Sequence, residues 1–175
     1  GPVERLVKGV GMRSFERTHP VVLPDTSAVI LTGLVSGASS EDLLIAHLTG
    51  EGQLETLLQA PGVERNAAIA PNGRFLAYNS DHSGRPEVYV RPFPRVNARM
   101  WQISTDGAAF PVWTRGGREI VYADSRGRIM AMAVRADGID EFDFSRAEPL
   151  FGFGPGAENG LDRWFDVTSD GERFL

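Results

Sequence analysis

The chain has 175 residues, no cysteine, a net charge of −5 and 42% hydrophobic residues, a composition typical of a globular domain. The lack of cysteine excludes disulfides and thiolate metal sites, and the mild acidity argues against nucleic-acid binding, which requires a basic face. No apolar run approaches the roughly 20 residues that span a bilayer, so we expect no membrane contact by this segment.

A short pattern of a turn followed by an apolar run repeats along the chain. A degenerate copy, Leu23–Leu31, precedes three clearer ones at Ala70–Tyr78, Trp113–Tyr122 and Val167–Leu175. Their turn residues Thr26, Gly73, Gly117 and Gly171 follow one another at intervals of 47, 44 and 54 residues. A strand-based period of roughly 40 to 50 residues is typical of the blades of a β-propeller.

The turns and the runs after them predict hairpins packed on both faces. Glycine supplies the positive φ that a two-residue hairpin turn requires. The runs Phe75–Tyr78 and Ile120–Tyr122 do not alternate polar with apolar residues, so neither face of the strand is expected to meet water. The predicted structural turn residues are Asn72, Gly73, Gly116, Gly117, Asp170 and Gly171.

Further equal spacings suggest that two neighbouring blades have the same length. Tyr78 and Tyr122, Val90 and Val134, and Arg91 and Arg135 are each 44 residues apart. This predicts that the second and third blades match from the turn to the third strand without an insertion.

The chain is predicted to be all-β, a partial β-propeller of four-stranded antiparallel blades with three full blades and part of a fourth. Glu41–Leu48 could pass for a helix, but its place in the repeat predicts a third strand. Asp137–Glu148 is an acidic insertion with room for a short helical turn. The predicted blades cover residues 18–60, 64–106, 108–155 and 162–175, and residues 3–8 are predicted as the outer strand of a preceding blade. Predicted strands are His19–Leu23, Ala28–Leu34, Leu43–Leu48 and Leu54–Leu58; Ala67–Ala70, Arg74–Asn79, Glu87–Arg91 and Met100–Ser104; Phe110–Trp113, Glu119–Ala123, Ile129–Arg135 and Pro149–Phe153; and a start at Trp164–Thr168.

Polar residues beside the innermost strands are the candidate binding residues, because propellers bind ligands at the mouth of the central channel. Glu64, Arg65 and Asn66 are predicted to precede the innermost strand of the second blade. The alternative is that an Arg–carboxylate pair here joins adjacent blades. The candidates for the channel mouth are His19, Glu64, Arg65, His82, Arg85, Asp162 and Arg163.

Catalytic and metal-binding patterns are missing from the sequence. No serine lies in a Gly-x-Ser-x-Gly elbow, and the kinase signatures are absent. The acidic loop at Asp137–Asp143 lacks the alternating pattern with a central glycine that binds calcium. His47, within a predicted strand, is expected to pack rather than bind. We therefore predict no catalytic residue, no metal and no cofactor in this segment.

Several phrases of the sequence resemble the TolB-like (WD40-like) propeller repeats. The most specific is Ser83–Phe93, and the resemblance is closest to the C-terminal propeller of bacterial proteins that join a serine/threonine kinase to a TolB-like ring. It implies the C-terminal half of a ring and favours a periplasmic or extracytoplasmic location. Other phrases that carry it are Glu64–Asn66, Ala70–Tyr78, Trp101–Gly107 and Arg163–Val167.

Two classes of function follow from the repeats and the resemblance. The first is a non-catalytic sensor or protein-interaction module with a protein or peptide partner. The second is the propeller portion of a prolyl-oligopeptidase-type peptidase or a propeller lyase whose catalytic residues lie outside this chain. Open blade edges also predict self-association, because unpaired strand edges promote pairing between chains.

Overall fold

A computed structural model describes residues 8–9, 12–14, 19–49, 52–136, 138, 141–152 and 165–175, with the first two ranges described by their backbone alone. It contains no α-helix in these ranges, only a short 3₁₀ turn at Arg115–Gly117, and no helix there is long and apolar enough to cross a membrane. The strands are β1 (Lys8–Gly9), β2 (Met12–Ser14), β3 (Val21–Val22), β4 (Ala28–Val35), β5 (Asp42–His47), β6 (Gln53–Leu58), β7 (Glu64–Ile69), β8 (Phe75–Ser80), β9 (Glu87–Pro92), β10 (Trp101–Gln102), β11 (Ala108–Thr114), β12 (Glu119–Asp124), β13 (Arg128–Arg135), β14 (Asp143–Phe144) and β15 (Glu148–Gly152).

Three sheets follow one another along the chain, and each has the antiparallel order of a propeller blade. The first contains β3-β4-β5-β6, the second β7-β8-β9-β10, and the third β11-β12-β13 with β14 and β15 both paired to β13. The all-β partial propeller predicted from the repeats is therefore confirmed. The helix-like segment beginning at Glu41 forms strand β5, as its place in the repeat predicts.

Two short strands near the start of the chain join the first sheet. Lys8–Gly9 pairs in parallel with Gln53–Leu54 at the outer edge, and Met12–Ser14 pairs with β4. Of the segment 3–8 predicted to belong to a preceding blade, residues 3–7 lie outside the described residues, and that blade stays a prediction.

The middle strand of the second blade is buried on both faces. Phe75 and Ala77 pack into a core shared with the third blade, whereas Leu76 and Tyr78 pack into a core shared with the first. All six residues of β8 are buried. Burial of one large apolar side chain stabilises the fold by about 1.5–3 kcal/mol, so these two inter-blade cores hold the blades together. The continuous apolar runs in the sequence reflect this two-sided packing.

The turns that carry the repeat are four-residue loops rather than the two-residue hairpins predicted. In the second blade, the Ala70 N–H donates to the Phe75 carbonyl at 2.9 Å, and the Gly73 N–H donates to the Ala70 carbonyl at 2.8 Å. The loop around Thr26 and the loop around Gly171 have the same two bonds at corresponding positions. The degenerate first copy is thus a geometric repeat of the others, with Thr26 at a φ of 58° where they have glycine.

An Asx side chain fixes three of these loops in the same way. Asp25, Asn72 and Asp170 each accept, through Oδ1, a bond of 3.0 Å from the backbone N–H two residues on. Short polar side chains commonly bridge a turn in this manner. The fourth loop has Gly116 at this position, and both Gly116 and Gly117 have positive φ.

The equal spacing of Val90 and Val134 does not reflect equal structure. Ala77 pairs with Val90 in the second blade, but the equivalent Val121 pairs with Ala131 in the third. The reason is a shorter β12–β13 hairpin, which joins Asp124 to Arg128, whereas the β8–β9 hairpin joins Ser80 to Glu87. The predicted match without an insertion is wrong beyond the second strand.

The acidic insertion contains an outer strand segment where a helical turn was considered. Asp143–Phe144 pairs with Val134 and Arg135 as β14, and β15 continues the pairing along β13. Between them, Ser145 keeps one backbone bond to β13, since its N–H donates to the Ala133 carbonyl at 2.9 Å. Its side chain supplies the other, because the Ala133 N–H donates to Ser145 Oγ at 3.2 Å. Asp137 and Asp140 lie outside the described residues.

The last described segment covers the free face of the third blade. Phe165 is buried against Val121, Ala123 and Ile129 of that blade, and Phe174 packs against the same cluster. Val167 and Phe174 form an isolated antiparallel bridge. Trp164, predicted to begin this strand, lies outside the described residues.

Candidate functional site

Most of the predicted site residues meet at one end of the blades, which we call the upper face. It is formed by the loops at 36–41 and 81–86 and by the connections between blades at 59–63 and 103–107. The prediction that Glu64 and Arg65 precede the innermost strand of the second blade is wrong. They are the first two residues of that strand, β7. A β-bulge follows them, with Asn66 at a φ of 52°.

Glu64, Ser80 and His82 form a compact polar cluster on the upper face. The fully buried Glu64 carboxylate accepts a 2.8 Å bond from Ser80 Oγ and a 3.2 Å bond from the Ala60 N–H. Ser80 Oγ also lies 3.4 Å from His82 Nδ1, and it accepts the His82 N–H at 3.2 Å. The serine proton is therefore directed to the carboxylate rather than to the imidazole. This differs from a Ser–His pair, in which the imidazole accepts the serine proton.

Arg65 forms an ion pair with Glu41, which precedes β5 of the first blade. This is the inter-blade Arg–carboxylate pair that was the alternative to a channel-mouth role. A backbone bond of 2.9 Å from the Glu64 N–H to the Glu41 carbonyl reinforces it. Such charge-assisted contacts fix the angle at which the two blades meet.

Arg85 contacts the connection that leads to the third blade. Its Nε donates to Glu87 Oε1 at 2.8 Å, and its Nη2 donates to the Thr105 carbonyl. Glu87 in turn accepts bonds from Ser104 Oγ and from the Gly107 N–H at 2.9 Å. Arg85 thus belongs to a network that anchors the segment between blades.

Of the three histidines, His19 and His47 lie apart from the polar cluster, whereas His82 belongs to it. His19 is exposed and makes no hydrogen bond or ion pair with the described part of the chain. His82 stacks on Tyr89 with ring centroids 4.7 Å apart. His47 ends β5 and lines a lateral groove. Asp162 and Arg163 lie outside the described residues.

An open groove of about 590 Å³ crosses the upper face between the first and second blades. Its walls are mainly small residues of the loop Gly37–Ser40 and of the connection Gln59–Val63, with Asp81 as the charged side chain. Asp81 Oδ1 accepts the Val63 N–H at 2.8 Å, which ties the loop of the second blade to the connection. Within the described ranges, no set of three or more His, Asp or Glu side chains is placed to bind a metal ion.

Asp42, which the sequence reading did not single out, lies directly behind this groove. It is 0% exposed, and Gln59 Nε2 donates to its Oδ2 at 2.9 Å. Its Oδ1 has no hydrogen-bond partner in the described part of the chain. Asp42 is the first residue of β5, and Glu87 is the first residue of β9, the corresponding third strand of the next blade. This repeated acidic residue is the sequence signal that could have identified Asp42.

Burial raises the pKa of Asp42 and the pKa of Glu64 above their ordinary carboxyl values. Hydrogen bonds from Gln59 to Asp42 and from Ser80 to Glu64 offset part of this rise. When the pKa of a carboxyl group is higher in the folded state than in the unfolded state, its stabilising contribution is complete at pH values below the unfolded-state pKa. That contribution is lost as the pH rises through the folded-state pKa. Both groups therefore weaken the junction of the first two blades at neutral pH.

Asp42→Asn is expected to raise the free energy of unfolding at pH 7 by about 1 kcal/mol, because a neutral amide is less costly to bury than a partly unpaired charge. The advantage should shrink as the pH falls to the ordinary carboxyl pKa of 3.8, where the wild-type side chain also becomes neutral. Urea unfolding of both proteins at pH 7 and at pH 3.8 measures the difference. A constant difference at both pH values would contradict this expectation.

Stacked four-stranded antiparallel sheets, each buried against the next, define the chain as a partial β-propeller. Its fold is that of TolB and TolB-like propellers. A putative TolB from Agrobacterium tumefaciens superposes with a TM-score of 0.56 at 16% identity, covering 78% of this chain and 52% of that one. For TolB from Acinetobacter baumannii the TM-score is 0.57 at 12% identity, with 89% and 47% covered.

A further similar structure is the periplasmic gluconolactonase PpgL from Pseudomonas aeruginosa, with a TM-score of 0.55 at 13% identity, covering 89% of this chain and 48% of that one. The chain spans about half the length of these three structures. At these identities the similarity establishes the fold alone. No protein-family model and no curated protein matches the chain.

Proposed function

We propose that this segment is a non-catalytic interaction module that binds a peptide of a protein partner on its upper face. The observation that carries the proposal is the groove of about 590 Å³ between the first two blades. Its wall residues are mainly small, so a peptide can approach the wall closely, and an extended peptide is held largely through backbone hydrogen bonds.

The charge around the groove selects the kind of peptide. Asp81 lines the groove. The carboxylates of Glu41, Asp42 and Glu64 lie directly behind its walls. Arg65 lies among them and is paired with Glu41. The local excess of carboxylates favours a partner segment that carries lysine or arginine, because complementary charge increases both the rate and the specificity of association.

The polar geometry supports a binding role over a catalytic one. Ser80 donates its proton to Glu64, Arg65 is paired with Glu41, and Arg85 is held by Glu87 and the Thr105 carbonyl. Each of these groups makes contacts that stabilise the fold. As a module of this kind, the segment would be part of a larger bacterial protein, extracytoplasmic and joined to a kinase, as the TolB-like resemblance implies.

Ser39→Trp is expected to weaken binding of basic peptides at least tenfold, because an indole at this exposed position on the groove wall would occupy the peptide's path. Peptides selected by phage display against the whole chain provide the ligands. Isothermal titration calorimetry at low and moderate salt then gives the dissociation constant for each variant.

Ser36→Trp is the matched control, because Ser36 is exposed in the same loop but does not line the groove. It should leave the dissociation constant unchanged within about twofold. The proposal fails if both tryptophan variants bind the peptides equally well, or if the selected peptides contain no basic residue and bind independently of salt.

The alternative function is the propeller portion of an enzyme whose catalytic residues lie outside this chain. The observation in its favour is the fold similarity to a protein described as a gluconolactonase. Expression of the whole parent protein with and without this segment, followed by assays of lactone and peptide hydrolysis, separates the two functions.

Self-association through β15, whose five residues are all exposed, stays a prediction.

A further inference from the structure

The carboxylate of Asp42 has one oxygen that is available to a ligand. Asp42 is fully buried, and its Oδ1 has no hydrogen-bond partner in the described part of the chain. Its Oδ2 accepts a 2.9 Å bond from Gln59, an exposed residue that lines the groove between the first two blades. Native proteins pair nearly all buried polar atoms, so an unpaired carboxylate oxygen one hydrogen bond behind a groove wall indicates a place for a donor from the ligand.

In the second blade, a cation within the chain balances the carboxylate at the position of Asp42. Glu87 occupies that position as the first residue of β9, and Arg85 Nε donates to its Oε1 at 2.8 Å. The residue two positions before Asp42, where the second blade has Arg85, is the uncharged Ser40. The first blade therefore lacks the internal cation that the same strand position has in the second blade.

The third blade has a balanced charge at this position too, with the signs exchanged. Arg128 is the first residue of β13, and its Nε donates to Asp124 Oδ2 at 2.7 Å. Arg65 lies at the junction of the first two blades but is paired with Glu41, so it does not balance Asp42. The charge at the start of the third strand is thus paired in the second and third blades, and Asp42 is the exception.

The charges around the groove favour a cationic ligand. Asp81 is the charged residue that lines it. Burial raises the pKa of Glu64, and the negative charges of Asp42 and Asp81 raise it further, so both lie within electrostatic reach of Glu64. The pair of Arg65 and Glu41 is neutral as a whole, so these three carboxylates leave an excess of negative charge. A ligand cation beside Asp42 would offset the cost of burying its charge.

The number of free oxygens on Asp42 distinguishes lysine from arginine as the ligand group. Because Gln59 occupies Oδ2, only Oδ1 accepts a further donor. A guanidinium group binds a carboxylate most strongly when its planar fork contacts both oxygens. An ammonium group is a compact point charge on a flexible stem, and it needs only one oxygen. A single free oxygen therefore favours lysine.

We propose that the groove between the first two blades is selective for lysine and that Asp42 is the residue that determines this selectivity. The lysine ammonium donates to Oδ1 of Asp42, while Gln59 keeps its bond to Oδ2. The ligand thus supplies the cation that Arg85 supplies to Glu87 in the second blade. This inference rests on the proposed peptide-binding function, and it adds the identity of the anchoring side chain and of the residue that recognises it.

A pentapeptide with one charged side chain tests the selectivity. Acetyl-Gly-Gly-Lys-Gly-Gly-amide should bind the whole chain about tenfold more tightly than the same peptide with arginine, since a hydrogen bond to a charged group contributes about this factor. Norleucine, which keeps an aliphatic stem without the charge, should bind more weakly than either. NMR titration of the glutamine side-chain amides gives the dissociation constants and locates the site. The signals of Gln59 should shift, whereas those of Gln53 and Gln102, which do not line the groove, should not.

Asp42→Asn should weaken binding of the lysine peptide about tenfold and change binding of the arginine peptide by less than about twofold. The variant is also expected to be more stable than the wild-type chain, so this loss would not come from a damaged fold. Asp81→Asn is the matched control, because it removes an equal charge from the groove wall and should weaken both peptides to a similar extent. Selectivity that is lost in Asp81→Asn but kept in Asp42→Asn would overturn the inference.

Gln59→Ala tests the reason for the selectivity, because it removes the donor to Oδ2 and leaves both oxygens of Asp42 to the ligand. The arginine peptide should then bind about as tightly as the lysine peptide, since the guanidinium fork gains its second contact. A selectivity for lysine that is unchanged in Gln59→Ala would contradict the role of the single free oxygen.

The outcomes separate this inference from the proposed function. Equal binding of the lysine and arginine pentapeptides to the wild-type chain, or binding of neither, would overturn the lysine selectivity. The proposed function would stand in both cases if Ser39→Trp still weakened the longer basic peptides obtained by selection. If Ser39→Trp had no effect on those peptides, the proposed function would fail and the inference with it.

Discussion

Replacing Phe142 with alanine should lower the free energy of unfolding by about 3–5 kcal/mol, the usual cost of removing a buried aromatic side chain. Phe142 is 5% exposed and packs among three rings that belong to two blades. Its ring centroid lies 5.5 Å from Phe75, 5.3 Å from Trp101 and 6.2 Å from Trp113. The cavity left by alanine would open the core shared by the second and third blades.

Phe144→Ala is the control for this prediction, because Phe144 is two residues away and half-exposed. Its ring contacts Phe142 at 5.8 Å, so alanine should cost less than about 1 kcal/mol. Urea unfolding followed by tryptophan fluorescence measures both variants, and Trp101 and Trp113 report directly on this core. Equal losses for the two variants would show that Phe142 does not anchor the junction.

The position of Phe142 illustrates what the repeat pattern does not predict. It lies in a segment that the sequence analysis interpreted as an acidic insertion, and one of the rings it contacts, Phe75, is 67 residues earlier. Periodicity identifies strands because their side chains repeat along one sheet. It carries no information about a single side chain that inserts from a connecting segment into the core between two sheets.

The strands, in contrast, followed from local sequence because each middle strand is buried on both faces. Leu43, Phe75 and Ile120 are fully buried, and each lies in an apolar run after a turn or loop. The hairpin lengths did not follow, since a coincidental spacing of valines suggested a match that the β12–β13 hairpin does not have. The length of the hairpin loop sets the register in which two strands pair, and the spacing of single residues does not reveal that length.

The candidate site was predicted only in part, for a comparable reason. Glu64, Arg65, His82 and Arg85 do lie on the upper face, but Arg65 and Arg85 each have a partner from another blade or from a connection between blades. Glu41 is 24 residues before Arg65, and Thr105 is 20 residues after Arg85. A sequence shows which polar residues are present, whereas their free or paired state depends on contacts across blades.

Glu87 and Asp42 provide the sharpest test of this account, because two carboxylates at equivalent positions should have opposite effects. Each opens the third strand of its blade, where Glu87 pairs with Ser80 and Asp42 pairs with Gly33. Glu87 accepts bonds from three donors, whereas Asp42 has one donor and an unpaired oxygen. The carboxylate at this position thus has hydrogen-bond donors for both oxygens in the second blade, but for only one oxygen in the first.

Glu87→Ala should therefore lower the free energy of unfolding by about 3–5 kcal/mol, since the loss of one partner leaves buried donors unpaired. The Ser104 hydroxyl and the Gly107 N–H would lose their acceptor, and the connection into the third blade would lose its anchor. Glu87→Gln keeps the shape and one acceptor oxygen, so we expect a smaller loss of about 1–2 kcal/mol.

Urea unfolding at pH 7 measures both Glu87 variants, with Glu55→Ala as the control because Glu55 is an exposed glutamate of β6. Glu55→Ala should change the free energy of unfolding by less than about 0.5 kcal/mol. Neutralising the charge at Glu87 should destabilise the fold, whereas neutralising it at Asp42 should stabilise it. If Glu87→Gln and Asp42→Asn shift stability in the same direction, hydrogen-bond satisfaction is not what distinguishes the two blades.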